Sequence, residues 1–384
     1  MEIKIFNEEH EIYRRTVRQF MEKEVKPHVD EWREKELLPR EIWRKMGEQG
    51  FLGAYFPEEF GGFSADFLTD VVFLDKLARS QSTGLIGDVM VSNDVVAPYI
   101  LEFAPEELKR EYLPRLARGE CIASVGITEP GTGSDVAAIR TTAEKRGNEY
   151  VINGQKTFIT GGFYADVVVL AVKTNPEAKP AHSGISLILV PKGVPGFSVG
   201  RKLKKMGAHD SATAELFFED CRVPAGNLLG TEGGGFVLIM QKFQRERLVT
   251  VATVLPACEM ILEQTINYCK ERHVFGKPVA SFQVNKHKLV EMATELELAR
   301  TFCYQLYQEF NNGNQGLVKE ISMAKYWVSE LANRMAYQCV QLFGGYGYMD
   351  EYPISRAYTD LRAFPIVAGT TEIMKEIIAK TMGL

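Results

Sequence analysis

The chain has 384 residues, of which 45% are hydrophobic and 25% charged, the balance of a globular protein long enough for more than one core. A formal net charge of −5 excludes nucleic acid as the main partner, since neutralising phosphates needs a concentrated basic surface. Six scattered histidines and six cysteines without a CxxC pair give no metal-ligand spacing, so no metal site is expected, and the thiols read as free and mostly buried.

At the N-terminus, Met1 to His10 shows neither the apolar core of a signal peptide nor the Arg-rich look of a transit peptide. No apolar stretch reaches the ~18 residues of a membrane span. The expectation is a soluble, cytoplasmic protein without membrane insertion. From residue 8 the pattern is helical: Ile12, Val17, Phe20 and Val25 recur at near-helical spacing among charges, and Pro57 to Gly62 interrupts as a loop. From about 120 the texture turns to strands. Glu149–Ile152 and Gln155–Ile159 flank Asn153-Gly154, a strong hairpin signal. Further β runs follow at Asp166–Ala171, Ile185–Val190 and Ala214–Phe218, while the basic run Arg201–Lys205 reads as a solvated face. From about 232 the chain is helical again, with long amphipathic stretches at 234–271, 282–312 and 315–342. The fold class expected is α+β: an N-terminal helical domain over residues 1–118, an antiparallel, barrel-like β domain over 119–230, and a C-terminal four-helix bundle over 231–384.

No GxGxxG follows a strand and no GxxxxGK[ST] occurs, so neither a Rossmann nor a P-loop site is supported. The entrance to the β zone instead carries Val125 to Asp135 (VGITEPGTGSD). Alone, such a segment is an ordinary turn, although its glycines would let a flat ligand approach the backbone and its hydroxyls would bond it. The part from Thr128 to Asp135 resembles the first signature of the acyl-CoA dehydrogenases. The resemblance continues in order through Phe158-Ile159-Thr160, Lys205-Met206-Gly207, Thr213–Phe218, Val223-Pro224, Gly235-Phe236 and Glu246-Arg247-Leu248. It ends with Arg272–Pro278, Phe282-Gln283, Gln341–Gly345 and Ala368–Glu372, and so spans nearly the whole chain.

The resemblance implies FAD as cofactor and assigns roles. Val125, Ile127, Thr128, Gly133 and Ser134 would run along the flavin, Ser134 also facing the CoA moiety. Phe158 and Ile159 would lie against the ring system and Thr160 would bond near its N5. Arg272, Phe275 and Gln283, with Gln341, Gly344 and Gly345, would hold the pyrophosphate and adenine end, partly for a neighbouring subunit; Thr370 and Glu372 fill the cofactor-facing slot of the last motif. Gln244, Arg247, Ala368 and Gly369 would border the substrate.

The chemistry so implied takes a proton from the α-carbon of an acyl thioester and needs a carboxylate there. Many family members carry it directly before the Gly-Thr of the C-terminal loop, a position held here by Ala368. The long-chain and isovaleryl-CoA dehydrogenases carry it on a helix, where this chain has Glu246. Without the resemblance, Glu246 is one more exposed helical acid paired with Arg245 or Arg247; with Ala368 in the loop it becomes the expected base. An ordinary carboxylate is too weak a base, so its pKa is expected to rise when an acyl chain expels water. Glu376 reads as structural or solvent-facing. The expected substrate is a medium- or long-chain acyl-CoA, with methyl-branched or terpenoid acyl groups as the alternative, and a fold-sharing flavoprotein without dehydrogenase activity as the alternative of another class. An electron-transferring flavoprotein would accept the electrons, and the assembly would be a homotetramer.

Overall fold

The computed structural model describes residues 4–314 and 316–384. Seven helices come first: α1 (Glu8–Phe20), α2 (Val29–Lys35), α3 (Arg40–Glu48), α4 (Phe67–Ala78), α5 (Thr83–Val89), α6 (Ala97–Phe103) and α7 (Glu106–Ala117). Helix α1 starts on a reciprocal cap. Asn7 Oδ1 accepts the His10 N–H at 2.9 Å and the His10 ring accepts the Asn7 N–H at 3.1 Å, with Glu8, Glu9 and Glu11 in the first turn where the helix dipole favours acids. Between α5 and α6 the wider π-helical turn Met90–Val96 packs on both the sheet and the long helix that follows it.

The middle of the chain forms one sheet from β1 (Ala123–Gly126), β2 (Thr142–Arg146), β3 (Glu149–Ile159), β4 (Val167–Lys173), β5 (Ile185–Pro191), β6 (Phe197–Lys202), β7 (Ala214–Pro224) and β8 (Leu228–Leu229). Its order is β6-β7-β3-β2-β4-β5-β8, with β1 beside β4. The sheet is open rather than closed into a barrel, and it is not purely antiparallel: β1 pairs with β4 in parallel, as does β2 through Thr142 and Lys173. Strand β4 explains its own apolar run. Val167, Val169 and Ala171 pack toward the N-terminal helices, while Val168, Leu170 and Val172 fill a second core on the other face.

The Asn153-Gly154 hairpin does not form. β3 runs through both residues, with a bulge there against β7, and Asn153 exchanges hydrogen bonds with Asp220. Gly154 answers to packing instead, since a Cβ there would lie 2.6 Å from Thr141 Oγ1. The hairpin sits a few residues earlier, at Gly147-Asn148 between β2 and β3, with Gly147 at φ +62°.

The C-terminal part is built on α8 (Gly235–Glu271), α9 (Gln283–Asn311) and α10 (Val318–Phe343), with α11 (Pro353–Leu361) and α12 (Thr371–Thr381) packed on α10. The first two long stretches lie within a residue of their expected bounds; the third was expected to start at Gln315, outside the described residues. The expectation that no helix could match a membrane span needs correcting. Thr83–Phe103 and α8 are long and apolar enough by composition, but 83% and 67% of those windows are buried inside the protein, as core helices are. All six cysteines are buried and free of disulfides.

Candidate active site

The expected site residues gather in three groups. The first lies on the sheet. β1 delivers Val125 to the loop holding Ile127 and Thr128, all partly buried, whereas Gly133 and Ser134 are exposed. This loop is stitched to the next segment by the Thr157 N–H donating to the Thr128 carbonyl at 2.9 Å. Beneath it, the Glu129 carboxylate accepts from Lys156 Nζ at 2.8 Å, from Thr141 Oγ1 at 2.6 Å and from the Arg140 and Thr141 N–H groups. Glu129 thus anchors the loop, and burial draws Lys156 down to about 8. At the end of β3, Phe158 stands 68% exposed with φ +60°, a combination of aromatic exposure and backbone strain that folding alone does not favour. Ile159 turns the other way, into the core between the sheet's strands, so it can offer a ligand only its backbone. Thr160 is partly exposed, its carbonyl held by Ser124 Oγ at 2.8 Å.

The second group is on α8 and the C-terminal loop. Glu246 is half-buried and forms no ion pair within 4 Å among the described residues, because its neighbours point elsewhere. Arg245 reaches the buried Asp70 and Asp94 on the opposite side. Arg247, 4% exposed, lies over the Phe243 ring and donates from Nε to the Ala368 carbonyl at 3.4 Å. The exposed ion pair that Glu246 could have formed is therefore absent. Burial pushes the Glu246 carboxyl up to about 7, against the opposing pull of Arg247 and Lys325. The protein itself supplies the rise that the sequence reading assigned to a bound acyl chain. Gln244 sits two residues before, its buried Oε1 without a partner. Ala368 and Gly369 both adopt positive φ, +55° and +94°. Thr370 caps α12 by accepting the Ile373 N–H at 3.3 Å, and Glu372 is exposed in the first turn, its pKa lowered by its own backbone N–H and by Thr370. Glu376 is exposed, as expected.

The sequence reading passed over Lys325. It occupies a core position of α10, in register with Ile321, Val328 and Ala332, is fully buried, and donates from Nζ to the Gly369 carbonyl. A lysine at core spacing on an apolar face was the available signal.

The third group lies where α8 ends. Arg272 stacks over Tyr346 at 5.6 Å, Phe275 is 95% exposed at φ +49°, and Gln283 opens α9. Gln341, Gly344 and Gly345 are exposed at the end of α10, with nothing within 4 Å of a Cβ added at either glycine.

Three family models cover the chain in sequence: acyl-CoA dehydrogenase N-terminal domain at residues 7–120, middle domain at 124–221 and C-terminal domain at 233–383. The chain belongs to the acyl-CoA dehydrogenase family. It is similar to the mitochondrial long-chain specific acyl-CoA dehydrogenase of Mus musculus, 46% identical over 98% of this chain and 87% of that protein. Among solved structures, an acyl-CoA dehydrogenase from Geobacillus kaustophilus matches with a TM-score of 0.98 and 48% identity over 100% of both chains. A glutaryl-CoA dehydrogenase from Mycobacterium smegmatis in complex with FADH2 matches with a TM-score of 0.91 and 30% identity over 98% of this chain and 95% of that one. As a member of the acyl-CoA dehydrogenase family, the chain is a flavoprotein oxidoreductase of fatty acid β-oxidation acting on acyl-CoA. FAD is the flavin of this family, and the exposed, strained Phe158 beside Thr160 fits a flat aromatic cofactor.

Proposed function

We propose that this acyl-CoA dehydrogenase converts medium- and long-chain acyl-CoA to trans-2-enoyl-CoA with Glu246 as the base. The observation that carries this reading is the Glu246 carboxylate itself: half-buried, unpaired, and held near pH 7 by burial. A base works best when its pKa lies near the operating pH, where proton transfer contributes about 10²–10⁴-fold. Arg247 holds the Ala368 carbonyl, and the Ala368 and Gly369 N–H groups donate to no protein atom among the described residues. Those donors suit the thioester oxygen, where charge develops as the α-proton leaves. Thr128, Phe158 and Thr160 would hold the isoalloxazine, and Arg272, Phe275, Gln283, Gln341, Gly344 and Gly345 the pyrophosphate and adenine end. FAD, when bound, supplies the hydride acceptor for the β-carbon.

Similarity to the mouse long-chain enzyme supports the chain-length assignment, and an electron-transferring flavoprotein is the proposed acceptor of the electrons. The proposed assembly is a homotetramer. Anaerobic titration of the holoenzyme with straight acyl-CoAs of increasing length and with methyl-branched ones reads the substrate class from flavin bleaching. Fastest bleaching by a long straight chain is expected; preference for a branched or terpenoid acyl group would overturn the chain-length assignment. Glu246→Gln should keep FAD and lose bleaching by at least ~10²-fold, whereas near wild-type reduction would remove Glu246 as the base.

A further inference from the structure

The C-terminal loop is gripped by two buried cations. Arg247 donates to the Ala368 carbonyl at 3.4 Å and Lys325 to the carbonyl of the next residue, Gly369. Neither cation has a carboxylate oxygen within 4 Å among the described residues, although both side chains are almost wholly shielded from solvent. Burying an unpaired ammonium is costly, and an apolar residue of similar length would fill the same core position without that cost. Packing therefore gives no reason for a lysine at 325. The loop does. Ala368 and Gly369 sit in consecutive left-handed conformations, and Ala368, which has a side chain, carries backbone strain that only surrounding contacts can hold. Across a trans peptide the C=O and N–H point in opposite directions, so pinning a carbonyl also aims the N–H of the same peptide. Pinning the Ala368 carbonyl aims the Gly369 N–H, and pinning the Gly369 carbonyl fixes the next plane, so that Gly369 is held from both sides. The Ala368 and Gly369 N–H groups have no protein acceptor among the described residues.

We propose that Lys325 is a positioning residue which, together with Arg247, holds the Ala368–Gly369 loop in the shape that binds the substrate's thioester oxygen. This inference rests on the dehydrogenase reading above. Lys325 itself need not touch substrate. The charged groups around it are Arg247 and Glu246 from α8, Glu330 from its own helix, and Glu372 from α12. Burial and Arg247 draw its pKa down to about 8, so it remains a cation at neutral pH.

The test compares two ligands in the holoenzyme: a non-dehydrogenable acyl-CoA thioester, and the matching S-alkyl-CoA thioether, which lacks the carbonyl oxygen. Lys325→Met should weaken the thioester at least tenfold, change the thioether less than twofold, and retain FAD and cooperative melting. The rate constant for flavin reduction should fall at least tenfold in the same variant. Equal weakening of both ligands, or no change in either, overturns the proposal, because a merely structural lysine has no reason to distinguish them. Lys325→Arg preserves the cation and should keep the wild-type ratio of the two affinities within threefold. If Lys325→Met does not fold, loss of that ratio in Lys325→Arg overturns the proposal and its retention supports it. Glu246→Gln, run in parallel, separates the two claims: it should bind both ligands like wild type and, with a dehydrogenable long-chain acyl-CoA, leave the flavin oxidised. Rapid reduction in that variant sinks the base assignment without altering the Lys325 ligand contrast.

Discussion

At Glu246 the burial that suits the proposed base also costs stability. The folded carboxyl titrates at about 7 and the ordinary value is 4.5. Below the ordinary value both folded and unfolded chains hold the proton. Between there and about 7 the unfolded chain has released it and the folded chain has not, so stability falls as pH rises through that window and stays low above it. Glu246→Gln is therefore expected to be more stable than wild type at pH 8, by ~1–3 kcal/mol, and equal to it at pH 4. Denaturant melts at the two pH values check this; an equal gain at both would mean that burial is not the origin of the shift. Glu246 was legible from the sequence through an absence, the Ala368 that stands where many relatives keep an acid. Its raised pKa was not legible, because the burial behind it comes from tertiary packing that brings groups such as Lys325 of α10 and Tyr99 of α6 near it. Lys325 was legible only as an anomaly in a core pattern.

Individual elements were read well where periodicity was long and poorly where a single dipeptide carried the inference. The long helices α8 and α9 follow their patterns to within a residue. Asn153-Gly154 misled because glycine there relieves a clash with Thr141 from a neighbouring segment, a demand that leaves the same letters as a turn. The parallel pairing of β1 with β4 left no local trace at all, being a contact between segments some 44 positions apart. The end of β3 carries a prediction of its own. Phe158 pays in backbone strain for a ring that contacts little of the protein. Phe158→Gly should raise apoprotein stability by ~1 kcal/mol and weaken FAD by about tenfold, the worth of one aromatic contact. Melting of the apoprotein and fluorescence titration with FAD measure the two effects. Unchanged FAD affinity would show that Phe158 does not face the cofactor.

Across the whole molecule, a buried polar junction binds all three parts of the chain. Arg33 on α2 meets Asp360 on α11 at 3.1 Å, and Asp360 also accepts from Thr83 Oγ1 at 2.8 Å and from the Ala208 N–H at 2.7 Å. Nearby, Asp210 takes the Ser82 hydroxyl at 2.6 Å, and Asp88 takes those of Ser211 and Tyr164. No sequence pattern links Arg33 to Asp360, since the partners are 327 positions apart. Arg33→Met should cost ~3–5 kcal/mol by stranding the carboxylate, and Arg33→Met with Asp360→Asn should recover part of the loss. Denaturant unfolding of both variants tests this, and a double variant no better than the single would rule out the stranded charge as the cause. Helix α8 belongs to the same scale. It carries the proposed base, Glu246, partway along its length and ends at Arg272. At 1.5 Å per residue the two stand roughly 39 Å apart on a straight rod, and a kink at Pro256 would shorten that only slightly. A rod of that length sets the two ends of the proposed cofactor site far apart along one chain. Under the proposed roles and the proposed assembly, one chain's Glu246 and Arg272 would serve two different cofactors. In the proposed assembly each chain would lend half of two sites, and the smallest complete catalyst would be a pair.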